Sequence, residues 1–430
     1  MFAASPNTIT KTTTYKVVLP FYAFAAISFL VATVLLVLSS GDFTQHYFHP
    51  HILAITHIMT LGWGTMIILG ASHQLVPVLI EGALYSNVLA MISFILAAAG
   101  IPLLVYGFYF FKMGAPALCG GTLIVLSIIA YLVNLALSMA NSQHENVQAY
   151  FIFTAALWLL ATTVVGLLLV YNFTRPLMPN DSLHYLALHA HIGIAGWFLL
   201  LITGVGSRLI PMFVISKYES TVKLWWIYGL INTGLLAFVF LFLYTEERLL
   251  LYIPFGLIML GILLFASYCY TAYKKRIRKK VDAQMRLSFF SIGLQIVPLI
   301  IVLLLLSFLS IMHTENIRLI LLYGFVIFFG WITAIILGMT FKTLPFIIWN
   351  KIYHGLAGKL QPPSPKDLFS NKIFKWMTLS YIAGFLLFAV GILLQSTGIL
   401  SAGALLLLAT AVLYNWNVLL LFSHKPVTHG

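Results

Sequence analysis

Long apolar runs separated by short polar joints account for nearly all of this chain. A helix needs roughly 20 apolar residues to cross about 30 Å of hydrocarbon. Runs of that size lie at 16–39, 51–79, 85–110, 115–140, 147–172, 185–214, 222–244, 249–272, 286–309, 317–348, 374–395 and 398–422. They predict an all-α, polytopic membrane protein of twelve transmembrane helices, a single transmembrane domain over residues 1–430. Gly, Pro, Asn and charged residues mark the joints. The longest break, Asn350 to Lys372, contains Gln361-Pro362-Pro363-Ser364-Pro365 and reads as a polar loop.

Composition narrows the class. Of 430 residues, 61% are apolar and 8% charged, where a soluble domain carries about 25% charged residues. The mean hydropathy is +1.02. A water-soluble enzyme, a disordered protein and a nucleic-acid-binding module are excluded. The net charge of +13 belongs to loops facing an anionic membrane surface, so the partner it implies is the lipid bilayer. Cys119 and Cys269 both fall in apolar runs, which gives neither a disulfide framework nor a thiolate metal site. Residues 1–14 are polar and the run after them is longer than a signal-peptide core, so no cleaved leader is expected.

Lysine and arginine set the orientation. With a cytoplasmic N-terminus, 19 of the 23 basic residues fall on the cytoplasmic side, leaving Lys112, Arg175, Arg248 and Arg318 outside. Both termini are therefore predicted to be cytoplasmic. All ten acidic residues fall in loops or at helix ends. An ion-coupled carrier usually holds an ionisable group at membrane depth, so this distribution argues against the commonest reading of twelve helices. A uniporter relying on Asn134, Asn232 and Gln295 stays open.

Histidines do enter the apolar runs. His57 and His73 lie near the outer and inner ends of the second helix, and His184, His189 and His191 lie towards the outer end of the sixth. His46, His49 and His51 crowd the outer approach to the second helix. His144, His313, His354, His424 and His429 read as solvated.

A repeat places two of these histidines in register. His57-Ile-Met-Thr-Leu-Gly62-Trp63, followed by Gly70-Ala-Ser-His73-Gln74-Leu75-Val76-Pro77, aligns at a spacing of 134 residues with His191-Ile-Gly-Ile-Ala-Gly196-Trp197, followed by Gly204-Val-Gly-Ser207-Arg208-Leu209-Ile210-Pro211. A third copy holds Gly330-Trp331, Gly338 and Pro345, with Phe325 in place of the histidine. The reading is three pseudo-equivalent four-helix units, with helices 2, 6 and 10 equivalent. Transporters more often show two repeats, commonly inverted.

An imidazole near a helix end, with glycines (Gly62, Gly196) that let a flat group approach the backbone, suits axial ligation of a haem. His57 and His191 stand at matching depth, so one cofactor between them would reach both. The second ring nitrogen of a ligand histidine needs its own partner, and Thr60, at i+3, is the candidate for His57. His184 and His191 are seven residues apart, about 700° and nearly one face, whereas His189 is roughly 200° from His191. His57 and His73 are about 24 Å apart along the axis and cannot share a metal. The bland alternative for each is a hydrogen-bonded packing residue, and it weighs most for His73. Packing and interfacial anchoring explain the Gly-Trp pairs, and snorkelling explains Arg208 and Lys342.

His57, the run Gly70-Ala71-Ser72-His73-Gln74-Leu75-Val76-Pro77 and Leu84-Tyr85-Ser86 resemble subunit I of the haem–copper oxidase superfamily, nearest its C-type cytochrome oxidase and nitric oxide reductase branches. The resemblance implies haem b held by His57, and copper or non-haem iron at His191 or His189, with His73 as a further metal-ligand candidate. It also implies oxygen or nitric oxide as ligand, and a cytochrome or respiratory-complex subunits as partners, in a bacterial inner membrane. The chain departs from that family: Leu224 to Tyr244 holds no histidine and Phe325 replaces one on helix 10, so the family's binuclear centre cannot be assembled. NnrS-like membrane proteins are a looser resemblance. The expectation is a haem protein for electron transfer or gas handling, an oxidoreductase only if active without those ligands. The rivals are a transporter or metal/haem carrier without redox chemistry and a structural respiratory subunit.

Overall fold

A computed structural model describes residues 13–80, 82–141, 146–354 and 362–426. Twelve helices in it are long and apolar enough to cross a membrane: α1 Tyr15–Leu38, α2 Pro50–Leu79, α3 Asn87–Tyr109, α4 Ala115–Ala140, α5 Val147–Thr174, α6 Leu186–Val214, α7 Thr221–Tyr244, α8 Arg248–Lys274, α9 Ala283–Met312, α10 Ile317–Tyr353, α11 Asn371–Leu394 and α12 Thr397–Phe422. The described residues form no strand, only one isolated bridge between Ser216 and Arg276. The protein is an all-α, polytopic membrane protein, as expected where lipid offers no partner to exposed backbone. Predicted ends fall within five residues of the observed ones. The largest difference is at α10, which runs on to Tyr353, so the break expected from Asn350 opens later. Glu81, Glu145, His144 and His429 lie outside the described residues. None of the eight described carboxylates lies within a span; Asp282 stands just ahead of α9, where it caps that helix by accepting from Met285 N–H at 3.1 Å.

The chain groups into two compact units. Unit 1 comprises the described residues of Met1–Phe21, Ile68–Gly107 and Lys112–Arg278; unit 2 comprises those of Tyr22–Ile67, Phe108–Phe111 and Lys279–Gly430. The repeat helices α2, α6 and α10 bury 78%, 61% and 72% of their most apolar window, against 22–50% for the other spans. The helices that carry the motif are thus the inner ones, and large apolar side chains such as Phe240 and Leu419 on other helices are left exposed, as a lipid-facing surface requires.

Helix pairs close on glycine. In unit 1, a Cβ on Gly120 of α4 would stand 2.5 Å from Leu104 N of α3, and one on Gly261 of α8 would stand 2.9 Å from Ile231 of α7. In unit 2, a Cβ on Gly403 of α12 would stand 2.6 Å from Phe388 N of α11. Small residues let backbones approach where there is no hydrophobic drive between helices in lipid. Asn134 of α4 clasps the start of α3, accepting from Ser86 N–H and donating to Ser86 O, both at 2.9 Å. Asn417 of α12 does the same to Ser370 ahead of α11, at 2.9 and 3.1 Å.

Prolines inside α2 and α6 free one carbonyl each, four residues back, and side chains satisfy both. Pro77 leaves His73 O to Thr13 Oγ1, which donates at 2.6 Å. Pro211 leaves Ser207 O to the hydroxyl of Tyr268, at 3.1 Å.

Candidate functional site

Each inner helix contains a π-helical stretch: Ile58–Thr65 in α2, Ile192–Leu199 in α6 and Val326–Ile332 in α10. Their first residues are 134 positions apart, the spacing of the sequence repeat. Each stretch begins at the residue after the aligned position, which is His57, His191 and Phe325 in turn. Such turns inside α-helices are rare and occur frequently at functional sites.

At two of these positions the imidazole is held the same way. His57 Nδ1 lies 2.7 Å from Leu53 O and His191 Nδ1 lies 2.8 Å from Ala187 O. A carbonyl only accepts, so Nδ1 carries the proton and Nε2 the lone pair. The partner is one turn back, where Thr60 one turn ahead was expected for His57. Helical side chains lean towards the N-terminus, so the ring reaches the i−4 carbonyl, and Thr60 Oγ1 donates to the backbone O of His57 at 3.3 Å. Rings flank both: Phe108 at 4.5 Å from His57 and Phe238 of α7 at 5.2 Å from His191. Phe325 is instead closed into a stack with Phe329, Phe385 and Phe388, at 5.1, 5.7 and 4.6 Å.

His73 repeats the geometry, with Nδ1 2.7 Å from Leu69 O. It is 2% exposed, between Phe21 at 5.3 Å and Tyr131 at 5.4 Å, and its Nε2 has no hydrogen-bond partner. His189 turns elsewhere: its ring fills the place a Cβ on Gly166 of α5 would take, 2.8 Å from Cε1. His184 lies in the turn ahead of α6, exposed, and so shares no helical face with His191.

The two candidate glycines are closed by neighbours. A Cβ on Gly62 would stand 2.7 Å from Ser28 Oγ, and one on Gly196 would stand 2.6 Å from Trp158 Cβ. Helix packing accounts for both. His57 belongs to unit 2, while His73, His189 and His191 belong to unit 1. Among the described residues, the group of three metal-ligating side chains is Asp42, His49 and His51. Among the described residues, no three-ligand copper or non-haem iron centre is therefore assembled at His191, His189 or His73, whereas a haem iron takes a single imidazole as an axial ligand.

The polar side chains that a uniporter would use are largely occupied. Asn134 clasps Ser86, and Asn232 accepts from Trp158 Nε1 at 3.1 Å while donating to Tyr228 O at 2.9 Å; Gln295 alone is buried with both amide atoms unpartnered. Lys342, expected to snorkel, is paired with Asp282. In the sequence Asp42 stands among the loop acids, and the histidines ahead of α2 carry no assigned role. Their spacing, Asp42 then His49 and His51, was the available signal. No protein-family model matches the chain, and no curated protein matches it.

Proposed function

We propose that the chain is a haem-carrying protein of the bacterial inner membrane, related in type to haem–copper oxidase subunit I but without its full catalytic centre. His57 in one unit and His191 in the other are each an axial iron ligand, and haem b is the group they take. The observation that carries the reading is the shared tethering of Nδ1–H to the carbonyl one turn back, which leaves Nε2 as the donor in the tautomer and orientation that metal-ligating histidines use. Its recurrence at the mouth of two π-helical stretches on inner helices supports a role beyond packing.

A bound haem supplies one-electron redox chemistry and, where a coordination position stays open, a place for oxygen or nitric oxide. The chain's part is to fix the ring by the Leu53 and Ala187 carbonyls and to keep water away with Phe108 and Phe238. A respiratory subunit or cytochrome is the natural electron partner. The basic-residue bias supports cytoplasmic termini. Extraction of haem from the purified protein tests the proposal: near-stoichiometric haem b in wild type, and less in His57→Ala and His191→Ala.

A further inference from the structure

Ahead of α2, the chain makes a 3-10 turn over Ser40–Thr44 and enters the helix through His49 as N-cap, with Pro50 as its first residue. This path carries Asp42 back onto the two histidines. Asp42 Oδ2 lies 2.6 Å from His51 Nδ1 and 3.9 Å from His49 Nδ1, and one donor atom from each of the three lies within 4.8 Å of the others.

We propose that Asp42, His49 and His51 bind a divalent first-row transition cation, zinc or copper(II). The ligands are already oriented. Asp42 Oδ1 accepts from Gln45 Nε2 at 3.2 Å, which turns Oδ2 to the histidines. The His51 ring is stacked on Tyr109, centroids 4.1 Å apart and 16° between planes. His49 Nδ1 accepts only a long cap bond from His51 N–H, at 3.4 Å, so binding a cation through this nitrogen exchanges a weak hydrogen bond for a metal bond. A helix cap needs one of these side chains and an ion pair needs two. Two imidazole nitrogens converging on one carboxylate oxygen make a three-donor ligand set.

Two imidazoles and a carboxylate are the three-ligand complement of open zinc sites, whose fourth position is left to water or another ligand. Imidazole selects zinc and copper over magnesium and calcium. The cation replaces the proton between His51 and Asp42. Metal–ligand distances of about 2.0–2.2 Å set ligand atoms about 3.4 Å apart on a tetrahedral ion, so His49 must close on Asp42 by roughly half an ångström and His51 must draw back from it by roughly 0.8 Å, adjustments open to partly exposed side chains. Gln45, which orients Asp42, also lines a cavity of about 510 Å³ with His46, Glu315 and Arg318. The site is independent of the haem reading, since none of its residues is a proposed iron ligand.

Titration of the chelator-stripped, detergent-purified protein with zinc chloride tests it. Wild type and His46→Gln should each bind one ion tightly, and His49→Gln, His51→Gln and Asp42→Asn should each bind at least tenfold more weakly. Wild type without a micromolar site, or all three variants retaining it, would overturn the proposal. Should the variants fail to elute as folded protein, the electron paramagnetic resonance spectrum of wild type with one equivalent of copper(II) decides. Coupling to two imidazole nitrogens is expected, and a spectrum without nitrogen coupling contradicts the site.

Discussion

The Nδ1 of His57 lies 2.7 Å from the carbonyl oxygen of Leu53, one helical turn back. Leu53 O is also the acceptor that the α-helical ladder offers to His57 N–H, and the next amide, Ile58 N–H, reaches both Ala54 O and Ile55 O. The ring is therefore an accessory to a helix that forms without it. His57→Leu should fold and lose only about 1 kcal/mol, measured as thermal unfolding in detergent. A collapse of expression would make the histidine a structural requirement.

The carbonyls freed by Pro77 and Pro211 are covered by Thr13 and Tyr268. A buried acceptor left bare costs about 1–3 kcal/mol. Thr13→Val and Tyr268→Phe, each nearly the same shape as the native residue, should each lower thermal stability by that amount. No change in either would mean that these bonds hold nothing.

Glycine closure makes a sharper distinction between positions. Gly120→Val and Gly403→Val would drive a side chain into backbone atoms at 2.5 and 2.6 Å, which must force the α3–α4 and α11–α12 pairs apart. In Gly229→Val the new Cβ meets nothing within 4 Å. The first two should lose several kcal/mol or fail to fold, while the third unfolds near the wild-type temperature.

Tyr47, in the loop ahead of α2, donates to Glu315 Oε2 at 2.9 Å. Burial chiefly, and then the hydrogen bond to Glu315, push its phenol well above the ordinary tyrosine range. The folded state therefore holds this proton more tightly than the unfolded state. Its contribution is full below the unfolded value of about 10 and is lost as pH climbs through the higher folded value. The stability difference between wild type and Tyr47→Phe should be constant from pH 7 to 9 and shrink above about pH 10. A difference that grows with alkalinity would contradict the pairing.

Much of the architecture was legible because crossing a bilayer demands about 20 apolar residues in a row, a signal that needs no tertiary information. The repeat was legible too, in the aligned Gly-Trp and Pro positions, and the inner helices α2, α6 and α10 are the ones that carry it. The π stretches were not, because they depend on which carbonyl each N–H finds. The carbonyl partner of His57 was misread for a related reason: spacing alone names i+3 and i−4 equally, and only the lean of the side chain chooses. Asp42 was missed because it meets His51 across a turn, where no helical or strand period applies. Gly62 and Gly196 show the opposite difficulty. A glycine that admits a ligand and one that admits Ser28 or Trp158 look the same in a sequence.

The most direct measurement is the reduced-minus-oxidised absorption spectrum of the detergent-purified protein, with His57→Ala and His191→Ala beside it. A Soret difference band of near-stoichiometric intensity is expected in wild type, weakened in each variant, with a carbon monoxide shift wherever one coordination position is open. A folded wild type that stays colourless after expression with added haem precursor would contradict it, and would return His57 and His191 to packing.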